Sequence, residues 1–216
     1  MLLSSGFTAA QWYRALIDPL VPRLRSRIVR LCSELDAHEV LDIACASGAQ
    51  CRLLGARGIQ AVGLDISESM IEGARQMAGP NTEYVCASAY NLPFSSGAFD
   101  VSILSLALHE HTEQERTDML HEALRVTRSG GMLIVADYSR PPRPWLNIPW
   151  WMILAIENLA GGSHRSGFHD FVARGSLDGL LDRRRLKPSF HIPSHLGAIT
   201  IAAVPVPAEN RRRHRA

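Results

Sequence analysis

The chain lacks a charge bias large enough to select a polyanionic partner. Its 216 residues carry 23 Lys and Arg against 21 Asp and Glu, a formal charge of +2. That balance gives no strong nucleic-acid signal. The basic excess is local, in the closing Arg-Arg-Arg-His-Arg-Ala of residues 211–216, expected to be a solvated end. Cysteine is scarce as well. Cys32, Cys45, Cys51 and Cys86 form no C-x-x-C pair and no Cys/His spacing of a zinc site, so no metal is expected. Reduced thiols in a cytoplasmic protein are the economical reading. The first residues hold no basic segment leading into a long apolar stretch, so no secretory signal is expected. No internal repeat or low-complexity block is visible. The most apolar segment, Trp145 to Gly162, is broken by Asn147, Pro149, Glu157 and Asn158. It falls short of the roughly 20 apolar residues that a membrane-spanning helix needs.

What the chain does have is the composition of an ordinary globular domain, 46% hydrophobic and 20% charged. An N-terminal helical segment is expected over 1–38, broken by Pro19 and Pro22. From residue 39 short apolar runs alternate with helical patterns. The strands are Glu-Val-Leu-Asp-Ile-Ala, Ile-Gln-Ala-Val-Gly-Leu-Asp, Thr-Glu-Tyr-Val-Cys, Ala-Phe-Asp-Val-Ser-Ile-Leu and Gly-Gly-Met-Leu-Ile-Val-Ala-Asp-Tyr. Gly58 is expected to close the helix after the first strand. Ser67 is a plausible N-cap, and Thr112 with Glu115 forms a capping box. Two extended runs near the end, within 189–207, read as a hairpin-like sheet edge. The expected fold is α/β, a doubly wound, mostly parallel, seven-stranded Rossmann-like sheet with helices on both faces. The expected organisation is one domain, with a core over 39–141, an insertion with a helix over 142–188, and a basic tail over 208–216.

In such a sheet, ligands bind beyond the carboxyl ends of the strands. Three segments there carry candidate chemistry. The first is Asp42 to Gly48, whose small residues let a ligand approach the backbone and whose following helix offers free N–H groups. The second is Asp65, a carboxylate able to accept hydrogen bonds from two ribose hydroxyls. The third is Ser88 to Phe94, a loop able to border a base. A nicotinamide-binding loop would need G-x-G-x-x-G after the first strand, and the chain does not supply it.

These segments together resemble the class I S-adenosylmethionine-dependent methyltransferases, most of all the branch that includes the ubiquinone/menaquinone-biosynthesis enzymes. The resemblance rests on Val-Leu-Asp-Ile-Ala-Cys-Ala-Ser-Gly (40–48), on 61–75, on 87–110 and on 123–141, nearly half of the chain. It implies S-adenosylmethionine as cofactor and a small-molecule methyl acceptor. It implies that Asp42, Ala44, Ala46 and Gly48 lie against the methionine portion, that Asp65 binds the ribose and that Ile66 packs on the adenine. Ser88 and Ala89 would meet the adenine edge, and Leu104 would lie beside the cofactor. The chain departs from the family where Ala44 and Ala46 replace glycines and where Ser88 replaces an acid. An extra methyl at a position of close approach or positive φ costs on the order of 1 kcal/mol.

The fourth strand leads into Leu-Ala-Leu-His-Glu-His, which puts His109 and Glu110 near the methyl group as catalytic candidates. His109 reads equally as a general base or as a shaper of the pocket. The apolar insertion after the fifth strand is where this class builds its acceptor pocket, and Trp151, His164, Arg165 and His169 are the substrate candidates. The insertion reads as a lid over an apolar or amphipathic acceptor, as a homodimer interface, or as a peripheral membrane contact. Tyr13 is a candidate for closing over the cofactor. The rival reading is a non-catalytic methyltransferase-like protein that binds a partner through the hydrophobic insertion.

Overall fold

The structure, a computed structural model, describes residues 20–160 and 162–208, with the side chains of 159, 160 and 162–164 excluded. Tyr13, the first piece of the N-terminal helical segment and the arginine tail therefore lie outside the described residues, as does the side chain of His164.

A helix α1 (Pro22–Glu34) leads into β1 (Glu39–Ile43), α2 (Ala49–Gly55), β2 (Gln60–Asp65), α3 (Glu68–Gln76), β3 (Thr82–Cys86) and β4 (Phe99–Ser105). There follow a 3-10 turn (Leu108–Glu110), α4 (Glu113–Val126) and β5 (Thr127–Tyr138). A second 3-10 turn (Pro144–Leu146), α5 (Ile148–Ala160), α6 (Gly162–Ala173) and α7 (Ser176–Arg183) form the insertion. The chain closes with β6 (Phe190–Ser194), a 3-10 turn (His195–Gly197) and β7 (Ile199–Pro205).

The local signals explain these boundaries. Pro22 opens α1 at its first turn, where a missing N–H costs nothing. The Ser67 side chain accepts the Met70 N–H, and the Thr112/Glu115 capping box forms in both directions. Gly58 takes φ +80 three residues past the end of α2. The fifth strand begins earlier than its Gly-Gly pair suggests, because Thr127 passes directly out of α4 and pairs with Phe99.

The seven strands run β3-β2-β1-β4-β5-β7-β6. The first five are mutually parallel, and β7 is antiparallel to both β5 and β6. Inside the sheet β1 and β4 are buried on both faces, which is why they read as near-continuous apolar runs. The order reverses between β1 and β4, so the crevice of a doubly wound sheet lies beyond Ile43 and Ser105. Among the described residues, no helix is long and apolar enough to cross a membrane.

Candidate active site

The loop after β1 has an unusual backbone. Ala44, Ala46 and Gly48 all take positive φ, at +59, +46 and +69. Left-handed backbone disfavours a residue with a Cβ by about 1–2 kcal/mol, so two alanines hold a conformation that suits glycine. The loop is fixed from β2. Cys45 N–H donates to the Leu64 carbonyl, and Ala46 N–H donates to Asp65 Oδ2, both at 2.9 Å. Gly48 has no substitute, because a Cβ there would lie 2.5 Å from Tyr84 Cε1.

Behind this loop sits a small crevice lined by Arg25, Asp42, Ala44, Gln50, Ser105 and Leu106, among others. Asp42 is buried, and burial raises its pKa to about 7, against the Arg25 charge and the Cys51 thiol that donates to it at 3.6 Å. Gln50 donates through Nε2 to the Arg25 carbonyl at 3.4 Å, while its buried Oε1 has no partner among the described residues. An ionisable acid that cannot hold its charge and an orphan amide oxygen face the same need, a cationic donor.

On the far side of Ala44 a second cleft is lined by Ala44, Leu64, Asp65, Ile66, Ala89, Tyr90, His111 and Met119. Asp65 Oδ1 accepts the Ser67 N–H at 2.9 Å and Oδ2 accepts Ala46, so each oxygen retains acceptor capacity. Ile66 is largely exposed at the cleft edge. Tyr90 Oη and His111 Nδ1 are 2.9 Å apart on the opposite wall. Two expected residues stand away from this cleft. Ser88 is not on its lining, and the Ser88 hydroxyl accepts the Tyr90 N–H at 3.2 Å within its own turn. Leu104 is buried in β4, between Ile43 and Val135, because the alternation of the strand turns it into the core.

A third space, about 340 Å³, opens under α5. Its walls are mostly apolar, with Leu106, Met152, Ile153, Ile156 and Ile199, and its polar end holds His109, Glu110, Tyr138 and Glu157. Val21 and Leu106 line both this cavity and the Asp42 crevice, so the two adjoin.

His109 is held in a buried network. Its Nδ1 lies 2.8 Å from Asp137 Oδ1, and its Nε2 lies 3.5 Å from Glu157 Oε1 and 3.7 Å from Glu110 Oε1. Asp137, fully buried, also accepts the N–H groups of Leu108, His109 and Tyr138. Burial alone would lower the imidazole pKa. The charge and hydrogen bond of Asp137, then Glu157 and Glu110, outweigh it and raise the value to about 10. For Glu157 burial works toward a higher pKa, but the His109 contact and the Tyr138 hydroxyl at 2.8 Å hold it below the ordinary carboxylate value. The group at neutral pH is therefore an imidazolium between carboxylates, a hydrogen-bond donor with no free lone pair.

The 3-10 turn that carries His109 is pinned to the insertion by Arg116, which is fully buried. Its Nε donates to the Leu108 carbonyl at 3.0 Å and its Nη2 to the Gly167 carbonyl at 2.8 Å. Its Nη1 pairs with Asp170 at 2.8 Å, and the guanidinium lies over Phe171. A side chain at Gly167 would strike the Glu110 carbonyl at 2.5 Å, so α6 rests directly on this turn.

The expected substrate residues fall elsewhere. Trp151 is exposed, with its indole N–H directed at the Trp145 carbonyl. Arg165 and His169, one helical turn apart, lie on the outer face of α6, because Phe168 and Phe171 take the inner face. His169 Nε2 meets Asn158 Oδ1 at 3.2 Å. None of the three lines the cavity. The residues that do the polar work there, Asp137, Tyr138 and Glu157, have a faint signal in sequence. Each is a polar group in an otherwise apolar run, and Glu157 reads there only as a charge that rules out a membrane span.

A family model described as a methyltransferase domain matches residues 40–131. A demethylmenaquinone methyltransferase of Clavibacter sepedonicus is 34% identical over 122 residues, 56% of this chain and 49% of that protein. A ubiquinone/menaquinone biosynthesis C-methyltransferase of Cereibacter sphaeroides is 32% identical over 151 residues, 67% of this chain and 55% of that protein. The chain thus spans about half the length of the curated relatives it matches. Among solved structures, magnesium protoporphyrin IX methyltransferase from Synechocystis PCC 6803 with bound SAH superposes with a TM-score of 0.61 at 16% identity. That match covers 93% of this chain and 89% of that one, and it speaks for the fold. By its strand order, the loop after β1 and these matches, the chain is similar to class I S-adenosylmethionine-dependent methyltransferases, and its curated relatives include demethylmenaquinone and ubiquinone/menaquinone-biosynthesis methyltransferases.

Proposed function

We propose that the protein transfers a methyl group from S-adenosylmethionine to a small apolar or amphipathic acceptor bound in the 340 Å³ cavity. The observation that carries this reading is the adjacency of two unlike spaces. A crevice rich in acceptor groups meets an apolar cavity at Val21 and Leu106, at the switch point of the sheet.

The residues present suit the cofactor. Asp42 and the orphan Gln50 Oε1 would accept hydrogen bonds from the ammonium of its methionine portion, Asp65 from the ribose hydroxyls, and Ile66 would cover the adenine. When bound, the cofactor supplies an electrophilic methyl on a positive sulfonium. The chain then has to align the acceptor and keep water out. His109, charged and doubly held, orients an acceptor oxygen as a donor and does not take up its proton. Glu157, ionised and lining the cavity, is the group that anchors an acceptor O–H or N–H and can receive that proton. Glu110 adds negative charge at the same end, which favours neutral or cationic acceptors over anionic ones.

A calorimetric titration with S-adenosylhomocysteine tests this reading, with single-site binding expected. The non-catalytic alternative draws on Ala44 and Ala46 in left-handed backbone and on a Ser88 hydroxyl committed to its own turn. The same titration decides, since no heat at millimolar ligand would favour a partner-binding role and overturn the enzymatic one.

A further inference from the structure

The start of α5 is apolar on the wrong side. Trp150 and Ile153 face the core, yet Ile148, Trp151 and Met152 on the opposite face are exposed, and so are Trp145 and Leu146 just before them. Ile148 is 72% exposed and Trp145 67% exposed. A second element joins this tip. In the turn before β7, Leu196 is 76% exposed at φ +57, a strained setting for a branched residue. Asn147 locks the two together, its Oδ1 accepting the Trp150 N–H and its Nδ2 donating to the Leu196 carbonyl, both at 2.9 Å.

Along the chain that forms the start of α5, the charges are all of one sign. From Ser139 to Ile156 there is no Asp or Glu, while Arg140 and Arg143 are exposed and have no acidic partner among the described residues. The tip is also continuous with the cavity. Met152 belongs to both, and Pro149 and His195, which line the cavity, are chain neighbours of Ile148 and Leu196.

We propose that this tip docks on an anionic lipid bilayer, with Trp145, Ile148, Trp151 and Leu196 in the interfacial zone, Arg140 and Arg143 at the headgroup phosphates, and the cavity mouth opening toward the lipid. Indole rings prefer that zone, and exposed apolar side chains preceded in the chain by two exposed arginines suit an interface. The docking does not depend on the methyl transfer proposed above. A bilayer fits this tip, because exposed indole and aliphatic side chains from two separate turns stand beside two exposed arginines that an anionic surface complements.

The test is flotation of the full chain with vesicles of phosphatidylcholine, alone or mixed with phosphatidylglycerol. The chain is expected to float with the mixed vesicles. Trp145→Glu with Ile148→Glu lowers the partition coefficient by about tenfold or more. Arg140→Gln and Arg143→Gln each lower it about fivefold on the mixed vesicles and leave it unchanged on phosphatidylcholine alone. All variants keep residues 211–215, so differences report the tip and not the tail. Far-UV circular dichroism and S-adenosylhomocysteine titration in solution confirm folding and separate this outcome from the reaction itself. Vesicle binding equal in the glutamate variants overturns the proposal. So does an absence of binding accompanied by a wild-type dimer that the same variants dissociate in sedimentation velocity, which would make the tip a self-interface.

Discussion

Replacing Ala46 by glycine should stabilise the protein, against the usual effect of adding a glycine. At φ +46 the alanine gives up about 1–2 kcal/mol relative to an unstrained backbone. Glycine removes that strain but adds unfolded-state freedom, about 0.5–1 kcal/mol. The net gain is about 0.75 kcal/mol, between bounds of about 0 and 1.5 kcal/mol. For a chain of this length that raises Tm by about 1–4 °C. Two neighbours give controls of opposite sign. Ala49 opens α2 in helical geometry, so Ala49→Gly should lose about 0.5 kcal/mol. Gly48→Ala meets both a left-handed φ of +69 and the Tyr84 ring at 2.5 Å, and should lose about 3 kcal/mol. The assay is urea unfolding followed by circular dichroism, with Tm from calorimetry. If Ala46→Gly lowers stability as Ala49→Gly does, residue 46 is not in left-handed backbone, and the reading of the loop fails.

Asp42 holds its proton to about pH 7 in the folded chain, whereas the unfolded chain releases it near pH 4. The ligand-free protein should therefore lose stability as pH rises across that window, on the order of 1 kcal/mol per pH unit, and Asp42→Asn should flatten the slope in urea unfolding. His109 acts in the same direction over a higher pH window. Its folded value of about 10 lies above the unfolded value near 6.5, so its contribution is complete below pH 6.5 and is lost as pH climbs toward 10, a trend that His109→Gln should remove. A kcat profile with no limb at pH 6–7 is expected for the imidazolium, and a limb there that vanishes in His109→Gln would make it a base after all. Arg116→Met leaves the buried Leu108 carbonyl and the Gly167 carbonyl without this donor, while Asp170 keeps Arg174 at 2.7 Å, and should destabilise by about 2–4 kcal/mol in urea.

The core was legible because its signals are local. The alternation of apolar strands with capped helices, Ser67 and the Thr112/Glu115 box among the caps, is written in consecutive residues and survives folding unchanged. Asp42 and Asp65 stand out as candidates for the same reason, each in or at the end of an apolar run, and each lines a crevice at the strand ends. The cavity under α5 was not, since it is made by residues distant in sequence. Glu157 and Tyr138 meet at 2.8 Å across 19 positions, and Arg116 reaches Asp170 across 54. The faces of α6 could not be assigned without knowing that Arg116 draws it onto the 3-10 turn, which sends Arg165 and His169 outward. The Ser88 hydroxyl accepts the Tyr90 N–H within its own turn, a local backbone bond that a candidate list drawn from strand ends does not anticipate.

The central claim is that the Asp42 crevice, the Asp65 cleft beside it and the cavity of His109 and Glu157 together form one reaction site. A crystal structure with S-adenosylhomocysteine bound tests it most directly. The account predicts the ribose on Asp65, the ammonium on Asp42 and Gln50, and the sulfur at Leu106 facing the cavity. A sulfur turned away from the cavity, or a ribose that bypasses Asp65, would contradict it.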